Sequence, residues 1–204
     1  MKRRARYIAI PLALMVALAV LAVGCSNDTR QVRSNYRTIT TEPLRDTDAA
    51  RAANQRGVEH LRDGELDKAE AKFIRACEED VEFGPAHNNL GEVYYRQDDL
   101  YKAAVEFEAA RKFMSDHPGP LNNLGLVHEH GGEYGRAIEY YRKAIELDRD
   151  NIEYAANLAR AMTRRGDRSD EHRDLLRRIL AEDKRPEWLM WAKRELAEKY
   201  GRSE

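Results

Sequence analysis

Residues 132–151 read GEYGRAIEYYRKAIELDRDN; a counterpart lies 34 residues upstream at 98–117, DDLYKAAVEFEAARKFMSDH, and a third at 64–83, GELDKAEAKFIRACEEDVEF. Across these stretches Ala69, Ala103 and Ala137 hold one position, Ala76, Ala110 and Ala144 a second, and the aromatics Phe73, Phe107 and Tyr141 a third. Gly57, Gly91 and Gly125 keep the same interval ahead of them. Four series sharing one period define a repeated unit, and chance is no competitor. Ala, Leu, Glu, Arg and Lys dominate after residue 46, a composition that favours helix. Turn residues at Asp63-Gly64, Asp98-Asp99, Gly131-Gly132 and Gly166-Asp167 divide each unit into two helices. A helical hairpin of this size cannot bury its apolar side alone, so neighbouring units stack into a solenoid.

The period and residue types resemble the tetratricopeptide repeat, whose pattern places Leu-Gly, then Tyr, then Ala, Phe and Ala on two antiparallel helices. The second unit carries all of them as Leu90, Gly91, Tyr94, Ala103, Phe107 and Ala110. The third has Leu124, Gly125, Ala137, Tyr141 and Ala144, with His128 in the tyrosine place; the first has Arg56 where leucine belongs. Ala53, His87 and Leu121 stand where the pattern has tryptophan. The resemblance implies an all-α tetratricopeptide-repeat solenoid over 47–201, with regular repeats near 50–83, 84–117 and 118–151, a divergent repeat at 152–185 and a capping helix at 186–201. It puts Gly and Ala where the two helices of a hairpin meet and the aromatic between one hairpin and the next. The fourth unit starts in register at Leu158 and Ala159, but Glu171 and Arg178 replace its two alanines, so its second helix is expected to be displaced, with Leu175, Leu176, Ile179 and Leu180 as its apolar face. Pro186 opens the last helix, lined by Trp188, Trp191, Ala192 and Leu196.

The N-terminus has three zones: basic from Lys2 to Arg6, apolar and uncharged from Tyr7 to Val23, then Gly24 and Cys25. This is the layout of a secretory signal. The apolar run approaches the ~18–20 residues of a spanning helix, so an uncleaved N-terminal anchor is the competing reading. Leu21-Ala22-Val23-Gly24-Cys25 resembles the lipobox of bacterial lipoproteins, with Gly24 matching the small residue required before the cysteine and Ala22 departing from the usual leucine. The resemblance implies a signal peptide over 1–24 and a diacylglycerol-modified Cys25 that holds the protein on a lipid bilayer. Ser26 takes the place of the aspartate that marks inner-membrane retention in enterobacterial lipoproteins, which implies the periplasmic face of the outer membrane. Residues 25–46 are polar, include Pro43 and read as a flexible tether.

The formal charge is −1, and without Lys2, Arg3, Arg4 and Arg6 the remainder is −5. A mildly acidic domain is a poor partner for nucleic acid. Two cysteines allow at most one disulfide, so disulfides are not expected to hold the fold. Catalytic readings find little support. In His128-Glu129-His130 the histidines are two apart and point in different directions on a helix. His60, His87 and His128 occupy aromatic places and read as packing, and Cys77 reads as a small buried hydrophobe. No phosphate loop or nucleophile elbow is present, and neither a cofactor nor a metal is called for. An enzyme would have to reside in residues 167–204, where Asp170, Glu171, His172 and Asp174 crowd on what reads as a solvated helix.

By resemblance, the first helices of the repeats line a groove that holds extended peptides or partner helices. Asn89, Asn123 and Asn157 recur at one repeat position and offer amides to a ligand backbone. Arg62, Arg96, His130 and Arg164 form a basic ladder suited to an acidic segment, although a solvated helix face explains such a ladder more simply, with no ligand. Tyr95, beside Glu92, reads as exposed and able to anchor an apolar side chain. The two-carboxylate clamp of chaperone-binding relatives is missing, since its basic positions are Asn54, Glu153 and Asn157 here. The expected function is a lipid-anchored periplasmic scaffold binding other envelope proteins, in pilus or secretion-pore assembly or, alternatively, as an adaptor or regulator of peptidoglycan hydrolases.

Overall fold

A computed structural model describes residues 45–201; the leader, Cys25 and the tether to residue 44 lie outside the described residues. Four hairpins follow one another: α1 (Thr47–Arg62) with α2 (Leu66–Glu79), α3 (Gly84–Arg96) with α4 (Leu100–Phe113), α5 (Pro118–His130) with α6 (Tyr134–Leu147), and α7 (Ile152–Arg165) with α8 (Asp170–Glu182). A final helix, α9 (Pro186–Tyr200), packs on α8. No helix among the described residues is long and apolar enough to cross a membrane. The helix starts follow local chemistry. Asp46 accepts from the Ala49 amide (2.9 Å) and Asp99 from the Lys102 amide (3.1 Å), satisfying donors that have no partner inside the helix. Pro118 and Pro186 open α5 and α9, where a missing N–H costs nothing.

The turns within hairpins require left-handed backbone, and the sequence supplies it at one period: Gly64, Gly132 and Gly166 have φ of 76°, 76° and 84°. The second repeat does the same with Asp98 at φ 64°, the one non-glycine residue with positive φ among those described.

The repeating glycines have a steric reason. A Cβ on Gly57, Gly91 or Gly125 would meet the ring of Phe73, Phe107 or Tyr141 at 2.4, 2.7 and 2.4 Å. Each aromatic therefore packs on the glycine of its own hairpin, and it also faces the next one as expected, since Phe73 shares a buried cluster with Leu90 and Val93, and Tyr141 with Leu158 and Met162. The alanines of all three regular repeats, Ala69, Ala103, Ala137, Ala76, Ala110 and Ala144, are fully buried.

The fourth hairpin has a simple irregularity. Its turn spans four residues, 166–169, where the other three hairpins use three. The extra residue slides α8 by one position, and His172, Leu176 and Ile179 take the buried places that Ala137, Tyr141 and Ala144 hold in α6. Leu180 turns outward and is 39 % exposed, so the apolar face is narrower than the sequence suggested. At the other end the tether stops earlier than residue 46. Arg45 bridges to Asp80, the Asp46 amide donates to the Glu79 carbonyl (2.8 Å), and Thr47 donates to the buried Asp80 carboxylate (2.7 Å).

Candidate functional site

The first helices of successive repeats touch one another, α1 with α3, α3 with α5 and α5 with α7. Between α3, α5 and α7 a cavity of about 440 Å³ opens, lined by Tyr95, Leu126, Glu129, His130, Arg160 and Arg164. These side chains come from three repeat positions: Leu126 and Arg160 share one, Tyr95 and Glu129 a second, His130 and Arg164 a third. The floor is Glu129, only 4 % exposed. Its carboxylate accepts from Nε and Nη2 of Arg160 (2.7 and 2.8 Å) and from the Tyr141 hydroxyl (2.7 Å), with Arg164 Nε 3.5 Å away. A buried charge held this way is paired as its burial requires. Burial opposes the charge of Arg160, but Glu129 outweighs it and holds the guanidinium above its usual range. Burial, reinforced by Glu129, pushes Tyr141 up, so its hydroxyl keeps the proton it donates. Arg160 also lies over the Trp188 ring (5.2 Å), which links the cavity to α9.

Tyr95, His130 and Arg164 are thus brought together, while Arg62 and Arg96 are exposed and apart from the cavity. Arg96 pairs with Glu92 on its own helix (2.7 Å), and His130 lies 3.5 Å from Asp98. Tyr95 is half-buried, not exposed as expected, and meets the His130 ring edge-to-face at 5.6 Å. The asparagines do something the sequence reading missed. Asn89 donates to Asn54 (2.9 Å), Asn123 to Asn88 (3.0 Å) and Asn157 to Asn122 (2.9 Å), forming one amide rung at each junction between successive repeats. Asn157 is 4 % exposed. These Nδ2 groups are engaged within the solenoid, which corrects the picture of three amides all facing a ligand.

His172 is also placed differently from the expected solvated helix. It is fully buried, with its ring nitrogens 2.8 Å from Thr163 Oγ1 and 2.8 Å from the Tyr200 hydroxyl. Burial is the main cause holding its pKa below the usual histidine range, and Lys199 adds to it. A residue enclosed this way presents no face to a substrate. Glu129 and Arg160, the polar centre of the cavity, escaped the sequence reading; Glu129 drew notice only as the middle of His128-Glu129-His130. A carboxylate and an arginine flanking the basic ladder were the available signal.

Residues 82–150 match the family described as tetratricopeptide repeat. With the hairpins, the glycine–aromatic contacts and the period in hand, this settles the architecture. The fold is a tetratricopeptide-repeat solenoid. The solved structure of YrrB, described as a tetratricopeptide-repeat protein with an unusual peptide-binding site, superposes with a TM-score of 0.64 at 21 % identity, covering 78 % of this chain and 81 % of that one. The first tetratricopeptide-repeat domain of Spaghetti (RPAP3), bound to the HSP90 peptide SRMEEVD, gives 0.59 at 16 %, covering 61 % of this chain and 98 % of that one. Stress-induced-phosphoprotein 1 of Caenorhabditis elegans is 27 % identical over 90 residues, 44 % of this chain. The matches span only 14 % and 28 % of the lengths of the curated relatives, so the likeness concerns the repeats.

Proposed function

We propose that this protein is a lipid-anchored scaffold of the bacterial cell envelope that captures an extended, acidic segment of a partner protein between α3, α5 and α7. The observation that carries this reading is the cavity itself: an aromatic wall at Tyr95, an aliphatic one at Leu126, and two arginines against one carboxylate, which leaves a surplus positive charge at its edge. YrrB, described as having a peptide-binding site, and the peptide-bound Spaghetti domain share the fold, and the peptide bound to Spaghetti is itself acidic. The lipobox-like stretch ending at Cys25 supports attachment to the periplasmic face of the outer membrane. Photo-crosslinking in the producing cells tests the groove. A crosslinking amino acid at Tyr95 is expected to trap a partner, whereas one at Tyr101, 80 % exposed on α4, is not. Capture from position 101 alone would place the interface elsewhere. The trapped partner distinguishes pilus or secretion components from peptidoglycan hydrolases. Loss of lipid labelling in Cys25→Ser tests the anchor.

A further inference from the structure

At the junction of the first two repeats the solenoid breaks its own pattern. Cys77 on α2, His87 on α3 and Glu106 on α4 bring Sγ, an imidazole nitrogen and a carboxylate oxygen to within 4.8 Å of one another. The equivalent positions one repeat later are Arg111, Leu121 and Tyr140, so the constellation belongs to this junction and not to the repeat. All three side chains are half-buried. Cys77, read from sequence as an inert buried hydrophobe, keeps part of its surface open and packs at the margin of the core.

We propose that Cys77, His87 and Glu106 form a binding site for a borderline-soft divalent cation, zinc in the first instance, that ties α2, α3 and α4 together. The histidine is already oriented for it. Nε2 faces the Val81 carbonyl at 3.1 Å, leaving Nδ1 directed at Glu106 (2.7 Å). A backbone carbonyl on one ring nitrogen is the usual partner of a metal-bound histidine, because it fixes the tautomer and raises the basicity of the other nitrogen. The donor set of thiolate, imidazole and carboxylate is the one zinc accepts, at bond lengths of about 2.0–2.3 Å. Ligands around a four-coordinate ion then sit roughly 3.3–3.7 Å apart, so the three groups need to shift by about 1 Å. A solvent water completes the tetrahedron from the open side. Burial opposes charge on His87, yet Cys77, Glu106 and the Val81 carbonyl outweigh it and push its pKa up to about 10. Binding releases the Nδ1 proton and the thiol proton to solvent, and the ion's two charges are balanced by thiolate and carboxylate.

The test uses the full-length chain in detergent under a thiol-free phosphine reductant, titrated with Co²⁺ as the spectroscopic probe. One equivalent is expected to produce the visible bands of a four-coordinate ion and the near-ultraviolet thiolate charge-transfer band, and Zn²⁺ is expected to bleach both. Cys77→Ser retains Cys25, so loss of the charge-transfer band in that variant assigns it to Cys77. Glu106→Gln and His87→Gln, with unchanged circular dichroism, are expected to weaken Co²⁺ binding by roughly tenfold or more. Zn²⁺ should raise the melting temperature of the parent and not of these variants. Absence of bands in the folded parent, or bands that persist in Cys77→Ser, would overturn the proposal and leave a proton-bridged packing cluster.

Discussion

A Cβ on Gly125 would lie 2.4 Å from the Tyr141 ring, and that ring cannot retreat, because its hydroxyl is bonded to the buried Glu129. Gly125→Ala is therefore expected to cost about 1–3 kcal/mol, the usual range for overpacking, and to lower the urea midpoint accordingly. Gly64 faces open space at the same kind of hairpin turn where Asp98 sits, but its left-handed φ makes glycine the natural occupant. Asp98→Gly removes that strain in the second repeat, and a gain of up to about 1 kcal/mol is expected, about 2–4 °C in melting temperature. No gain would mean that the Asp98 contact with His130 compensates for the strained backbone. Because Asn89 and Asn123 each hold the preceding repeat, changing both to Ala removes two junction hydrogen bonds, and a stability loss of about 1–3 kcal/mol precedes any effect on a partner.

At the level of elements, α8 shows how one inserted turn residue is absorbed. Sliding the helix by a single position exchanges which side chains face the core, so Leu176 is fully buried and Leu180 is not. Leu176→Ala is expected to cost about 2–5 kcal/mol, whereas Leu180→Ala should stay within about 0.5 kcal/mol. Equal losses would show that Leu176 and Leu180 lie together on the buried face of α8, as the apolar pattern of the sequence suggested. The regular hairpins permit a sharper test. Ala103 is fully buried against the first helix of its own repeat, and Ala103→Glu places a carboxylate there without a partner, a change of several kcal/mol in a fold of about 5–15.

For the whole molecule, two histidines set opposite limits on pH. His87 has its pKa raised from 6.5 to about 10, so the stability it contributes is complete below 6.5 and is lost as pH rises through 10. His172 has its pKa lowered from 6.5, so its contribution is present above 6.5 and is lost as pH falls through the folded-state value. Lys199 on α9 and Asp167 and Glu195 face His172 as well, and Lys199 works in the same direction as burial. Asp80, which is bonded to Thr47 and Arg45, has a lowered pKa, and its stability is lost only at pH below its ordinary 3.8. Stability is therefore expected to peak near neutrality. Acidification from pH 7 to 5 should lower the urea midpoint of the parent and have a smaller effect on His172→Gln, because the terminal α7–α8–α9 contact no longer carries the titrating group. An identical slope in both would assign the acid response to another residue.

The number of repeats, their period, the hairpin turns and the glycine–aromatic–alanine positions were all legible in the sequence. Each expresses a requirement met inside one hairpin, a turn that needs left-handed backbone or a ring that needs a missing Cβ, and such requirements repeat wherever the hairpin repeats. The contacts between repeats were not legible. The asparagine rungs join residues 35 apart and the Glu129–Arg160 pair joins residues 31 apart, while the sequence repeats every 34. Those offsets depend on how one helix is staggered against the next, which no local pattern encodes. That α8 is displaced was legible in Glu171 and Arg178, which replace its two alanines, but the cavity and the meeting of Cys77 with His87 and Glu106 were not. In each case three-dimensional stacking chose the neighbours, because a side chain's chemistry is written in the sequence, but which groups come within hydrogen-bonding or coordinating distance is decided only when the hairpins pack.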